Sequence, residues 1–261
     1  MSFLSIQHVS HTYFTKKTAK TALSGISLDV EEGRFLSFLG PSGCGKTTLL
    51  SIIAGLLEPS SGEVLVEGRP IREAQEPMIG YMLQQDYLFP WKTIEENILL
   101  GLRILKKDNE LSRRKTFKLL KEIGLEGTEK QYPKQLSGGM KQRIALVRTL
   151  AAEPKLLLLD EPFSALDFQT KLKLEDLVSA TLKSFSKTAI LVTHDIGEAI
   201  AMSDTIFLFS TNPGRIYKQI DVPEVLRNLT PFNARAHPEY SSLFQTVWKE
   251  LENLEKQTPS Y

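Results

Sequence analysis

The stretch Gly40-Pro41-Ser42-Gly43-Cys44-Gly45-Lys46-Thr47 narrows the folding options more than any other part of this chain. It follows a compact apolar run, Arg34 to Leu39, and precedes a helical pattern over Thr48 to Leu57, so the local order is strand, loop, helix. Glycine, four residues, glycine, lysine and a hydroxyl residue is the spacing of a phosphate-binding loop. Its glycines let the backbone turn tightly and aim amide N–H groups inward, where the positive end of the following helix adds to the field. Lys46 would reach the β- and γ-phosphates of a nucleotide, the Thr47 hydroxyl would ligate Mg²⁺, and Thr48 is the last of the phosphate-facing positions. Cys44 reads as a small filler, although a helix N-terminus is also a place where a thiol becomes reactive.

A second constraint is Leu156-Leu157-Leu158-Leu159-Asp160-Glu161, an apolar strand that ends in adjacent carboxylates. Neighbouring side chains in extended backbone face opposite ways, so the two acids take different tasks. Asp160 is placed to hold Mg²⁺ directly or through water, and Glu161 to polarise an attacking water as a general base.

Around these landmarks the periodicity sorts the chain into regions. Loose alternation from Leu4 to Tyr13, with β-favouring residues at Gly25 to Val30 and Val64 to Val66 beside turn signals, predicts an N-terminal sheet of hairpins. From about residue 86 to 152 the pattern turns helical, around Ile94 to Leu105, Arg113 to Ile123 and Met140 to Leu150, which predicts an inserted helical subdomain. Strand at Lys155 to Asp160, helix at Gln169 to Phe185, strand at Thr188 to Thr193, helix at Ile196 to Met202 and strand at Thr205 to Phe209 then alternate. That alternation predicts a parallel sheet with helices on its faces, hence an α/β fold with a P-loop NTPase core and an N-terminal antiparallel β subdomain. Beyond Asn212, a Pro-Gly turn and Pro223, Pro231 and Pro238 suggest a looser C-terminal appendage, 221–261, ending in a helix over Tyr240 to Leu254.

Composition removes several alternatives. With 41% hydrophobic and 24% charged residues, disorder and fibrous repeats are excluded. The 32 basic residues are matched by 31 acidic ones, so no global field recruits nucleic acid or an anionic membrane. Cys44 is the single cysteine, which leaves no intrachain disulfide and suits a reducing compartment. Met1 to Phe14 lacks the pattern of a secretory leader, and no apolar stretch approaches the ~20 residues of a membrane helix. Service to a membrane would therefore run through a partner.

The segment Leu136-Ser137-Gly138-Gly139-Met140-Lys141-Gln142-Arg143 resembles the signature sequence of the ATP-binding cassette (ABC) family. Physically, Ser137, Gly138 and Gly139 at a helix N-terminus make another anion-binding nest, with Ser137 also the N-cap. Further motifs of that family follow in its order. Tyr13 resembles the aromatic on which adenine stacks, and Gln84 the glutamine that joins the subdomains and senses γ-phosphate and metal, with the adjacent Gln85 as the alternative. Asp167, in Ser164-Ala165-Leu166-Asp167, resembles the loop crossing the dimer interface, and His194 the switch histidine that bonds the γ-phosphate. The resemblance runs from Ser2 to roughly Ile220; Met140 and Leu83 depart from the commonest pattern without removing a catalytic group.

This resemblance implies an ATPase that uses ATP and Mg²⁺ and sandwiches two ATP molecules between two copies of itself. It also implies transmembrane permease subunits that hold it at the cytoplasmic face of the cell membrane, and indirectly an extracytoplasmic solute-binding protein. Tyr87-Leu88-Phe89-Pro90-Trp91 matches the neighbourhood that receives a permease helix, with helical-subdomain core as the other reading. Leu88 to Thr93 and the tail from Pro213 to Trp248 resemble the importer group for nitrate, sulfonate, taurine and thiamine-precursor pyrimidines. An exporter's ATPase or a soluble ABC ATPase are the competing classes.

Overall fold

The computed structural model describes residues 2–73 and 78–257. Its strands, in chain order, are β1 (Leu4–Phe14), β2 (Ala19–Val30), β3 (Phe35–Leu39), β4 (Ser61–Val66), β5 (Arg69–Pro70), β6 (Ile79–Met82), β7 (Leu156–Asp160), β8 (Thr188–Thr193), β9 (Thr205–Ser210) and β10 (Arg215–Asp221). The α-helices are α1 (Lys46–Ile53), α2 (Ile94–Ile98), α3 (Leu100–Ile104), α4 (Glu110–Glu122), α5 (Gly138–Ala151), α6 (Phe168–Ser184), α7 (Ile196–Met202), α8 (Glu224–Arg227), α9 (Pro231–Ala236) and α10 (Pro238–Gln257).

Among the described residues the strands form two sheets. The first is antiparallel in the order β2-β1-β4-β5, and the second runs β10-β9-β3-β8-β7-β6, parallel throughout except for β10. The continuous apolar sequences of β7 and β8 follow from burial on both faces. Their side chains divide with a period of two. Leu157, Leu159, Ala189 and Leu191 join the core shared with the helical insertion, whereas Leu156, Leu158, Ile190 and Val192 join the core shared with α1 and the antiparallel sheet. Each fully buried leucine stabilises the fold by roughly 1.5–3 kcal/mol.

Helix α1 starts at Lys46 and stops at Ile53, where the longer periodic pattern to Leu57 is cut by Gly55 in the left-handed region at φ 71°. The pattern from Ile94 to Leu105 divides at Leu99 into α2 and α3. Capping boxes, Thr93 with Glu96 and Asn109 with Ser112, set the starts of α2 and α4.

The C-terminal region is less loose than its prolines suggest. Residues 215–221 extend the parallel sheet as an antiparallel edge strand, and Val222, Leu226, Val247 and Leu254 close a core over Leu39, Ile196, Ile200, Ile206 and Leu208. The polar composition of β10 hid it, because an edge strand needs few apolar residues.

Candidate active site

In a parallel sheet every strand delivers its C-terminal end to the same edge, and ligands bind there. β3 ends in the Gly40–Thr47 loop, β7 in Asp160 and Glu161, β8 in Thr193 and His194, and β6 shortly before Gln84. Four stretches far apart in sequence thus converge by topology alone.

The loop closes tightly. Gly45 sits at φ 94° as the N-cap of α1, and a Cβ there would lie 2.6 Å from a methyl of Leu23 and 2.9 Å from the Ala22 carbonyl oxygen. A Cβ on Gly40 would meet the Phe209 carbonyl oxygen at 2.7 Å. Lys46 is buried; its ammonium donates to the carbonyls of Gly40 at 2.7 Å and Pro41 at 2.9 Å, with Cys44 Sγ at 3.3 Å. Cys44 is itself fully buried behind the loop.

A cavity of ≈ 410 Å³ opens over the loop, lined by Tyr13, Ser42, Gly43, Gly45, Lys46, Thr47, Thr48, Gln84 and Glu161 together with Lys20, Thr21, Ala22, Val192 and Asn212. The Tyr13 hydroxyl lies 3.2 Å from Thr48 Oγ1, which leaves the half-exposed ring at the cavity mouth. Thr47 Oγ1 donates to Asp160 Oδ1 at 3.2 Å. Asp160 Oδ2 is buried without a hydrogen bond, and burial raises the pKa of this carboxyl above its usual range. A desolvated carboxylate oxygen without a partner, beside a hydroxyl and the phosphate loop, fits a hard cation such as Mg²⁺.

Glu161 is the hub. Its backbone is held at φ 48°, uncommon for a residue with a side chain, and its N–H donates to the Val192 carbonyl at 2.9 Å. Gln84 Nε2 donates to Glu161 Oε2 at 3.1 Å, and His194 Nδ1 lies 3.3 Å from Oε1. His194 and Glu161 also share a smaller recess of ≈ 130 Å³ with Ser164, Lys171 and Asp195.

Ser137, Gly138, Gly139 and Asp167 do not line either space. Ser137 caps α5 by accepting from the Met140 N–H at 3.3 Å, and Asp167 caps α6 by accepting from the Thr170 N–H at 3.0 Å; the Thr170 side chain and then this N–H lower the Asp167 pKa. Ser137, Gly138 and Asp167 are exposed, so one chain presents these residues outward. Of the aromatic segment, Leu88 is buried in the helical core while Tyr87 and Trp91 are exposed, Trp91 edge-on to Phe89.

Residues 23–164 match the family described as ABC transporter. The chain is 65% identical to the uncharacterized ABC transporter ATP-binding protein YtlC of Bacillus subtilis (strain 168) over 257 residues, 98% of each chain. The chain belongs to the ABC transporter ATP-binding family. The cassette is also 42% identical to the aliphatic sulfonates import ATP-binding protein SsuB of Bacillus licheniformis, covering 97% of this chain and 95% of the relative. Among solved structures it resembles the ATP-binding cassette MJ0796, dimeric in a post-hydrolysis state bound to ADP and Pi, with TM-score 0.76 and 32% identity. That match covers 84% of this chain and 99% of the other. The cassette is thus an ATP-binding ATPase of P-loop type.

Two residues of the cassette's α5 brace segments of the site from behind. Buried Gln142 donates Nε2 to the Glu161 carbonyl at 3.1 Å and accepts from the Ala165 N–H at 3.1 Å. Arg148 donates to the carbonyls of Tyr87 at 2.9 Å and Asp86 at 2.8 Å. Gln142 lies inside the signature stretch, which was the available signal; Arg148 had none.

Proposed function

We propose that this cassette is the motor subunit of a membrane importer that pairs face to face with a second copy around two ATP molecules. The observation that carries the reading is a division of labour. The phosphate loop, Gln84, Glu161 and His194 gather at one sheet edge, whereas Ser137 and Gly138 of the same chain face outward. The outward set needs a second copy's nucleotide to act on.

In the closed pair, Lys46 would leave the Gly40 and Pro41 carbonyls for the β- and γ-phosphates of ATP. Thr47 and Asp160 would hold Mg²⁺, with Gln84 as a further ligand, and the ion when bound neutralises charge on the phosphates. Glu161 accepts the proton of the water that attacks the γ-phosphorus as the bond to ADP breaks. Gln84 and His194 keep its two oxygens oriented, and Tyr13 stacks on the adenine. From the second copy, the N-terminus of α5 with Ser137, Gly138 and Gly139 meets the γ-phosphate, and Asp167 meets the opposite loop. Closure therefore assembles the site and hydrolysis releases it.

Exposed Tyr87 and Trp91 would receive a permease helix, and Arg148 ties that segment to α5. Among the described residues no helix is long and apolar enough to cross a membrane, so the cassette would sit peripherally at the cytoplasmic face, held by permease subunits. A relative named for aliphatic sulfonate import favours a solute of the nitrate, sulfonate, taurine and pyrimidine-precursor kind, delivered by an extracytoplasmic binding protein. Co-purification with a permease from detergent-solubilised membranes, followed by sulfonate uptake in ATP-loaded vesicles, tests this. Outward transport in such vesicles, or no membrane partner, contradicts it.

A further inference from the structure

The C-terminal helices reach the catalytic edge through buried charge. On α6, Lys171 and Glu175 stand one turn apart, toward α7 and α9. Lys171 Nζ lies 2.5 Å from Asp195 Oδ2 and 2.6 Å from Glu198 Oε1. Glu198 in turn accepts from the Thr193 hydroxyl at 2.5 Å, and Thr193 Oγ1 accepts from the Asp195 N–H at 3.0 Å. Both neighbours of His194 are therefore anchored to Lys171.

Glu175 is fully buried, and its close cation comes from the C-terminal region: Arg235 Nη1 on α9, 2.6 Å from Oε2. Tyr240 of α10 packs at the same place, its hydroxyl 2.8 Å from where a Cβ on Gly197 would stand. Three carboxylates, Glu175, Asp195 and Glu198, thus share two cations, Lys171 and Arg235. A buried carboxylate without a cation is costly, so each cation's allegiance matters. Without Arg235, the cation whose field still reaches Glu175 is Lys171, and Glu175, at a pH where it is ionised, would draw it away from Asp195 and Glu198.

We propose that Arg235 is a positioning residue for His194: by balancing the charge of Glu175 it leaves Lys171 to hold Asp195 and Glu198, and so keeps the His194 loop against Glu161. The C-terminal region thereby becomes a part of the hydrolytic apparatus rather than an accessory. The inference rests on the roles given above to His194 and Glu161.

The test is steady-state ATP hydrolysis at about pH 9, where Glu175 is ionised even without Arg235, by the full chain as R235M, R235K, R235M/E175Q and H194A. R235M should lose about ten-fold in kcat with KM for ATP within about two-fold, because the nucleotide cavity is untouched. R235K keeps the charge and should remain near wild type, and R235M/E175Q removes the competitor for Lys171 and should recover most of the loss. Wild-type kcat in folded R235M beside an impaired H194A overturns the proposal, as does a double variant no better than R235M. If R235M does not fold, a ten-fold deficit in the folded double variant overturns it and near-normal kcat there upholds it. Full activity in H194A instead removes the histidine's role and with it the underlying reading of the site.

Discussion

Gln84 donates its side-chain amide to Glu161 across 3.1 Å, tying the segment after β6 to the end of β7. Gln84 also begins the segment that leads to exposed Tyr87 and Trp91, so Glu161 and the outward aromatic surface are mechanically joined.

Glu161→Gln keeps the shape of that contact and removes the proton acceptor. Hydrolysis should fall by about 100-fold or more while ATP still binds. Phosphate release and equilibrium binding of ATP measure the two effects, and near-normal turnover removes Glu161 from the base role.

Gln142→Leu takes one donor from the Glu161 carbonyl, which keeps Ser164, and leaves the Ala165 N–H without its partner. Each unsatisfied buried group costs about 1–3 kcal/mol, so chemical denaturation should show a loss of that order. Hydrolysis should fall with it, since the same bonds hold the backbone at Glu161. Unchanged stability and unchanged rate would refute the brace.

Glu175 supplies a pH signature. Burial, partly offset by Arg235, pushes its pKa up to about 7 from an ordinary 4.5. The raised value means the folded state holds a proton that the unfolded chain has released. Stability from this group is therefore complete below about 4.5 and is lost as pH rises to about 7, by at most about 3 kcal/mol. Denaturation midpoints of Glu175→Gln across that window should decline less than those of the wild type; parallel curves contradict the assignment.

Trp91→Ala removes the largest side chain of the exposed segment without touching the cavity. Basal hydrolysis should remain within about two-fold, while solute uptake per ATP in reconstituted vesicles drops. Unchanged coupling would remove this segment from the permease contact.

The sequence was most legible where backbone conformation and chemistry coincide. The Gly40–Thr47 loop needs its glycines for the turn at Gly45, and the Leu156–Leu159 run is apolar because both of its faces are covered. Thr188–Thr193 and Ile196–Met202 fall where periodicity put them. What escaped was long-range or polar. Strand β10 alternates among Lys, Gln and Tyr at a sheet edge, and the bonds of Gln142 and Arg148 join residues 19 to 62 positions apart. The charge group of Lys171, Glu175, Glu198 and Arg235 likewise exists only once α6, α7 and α9 are packed. The left-handed backbone of Glu161 has no mark in its sequence, because glutamate rarely adopts it.

Sedimentation velocity of Glu161→Gln, with and without ATP and Mg²⁺, probes the shared nucleotide site most directly. The account predicts a monomer that doubles its mass on adding ATP, and no doubling when Ser137→Arg is added to the same chain. A Glu161→Gln protein that stays monomeric while saturated with ATP would contradict it.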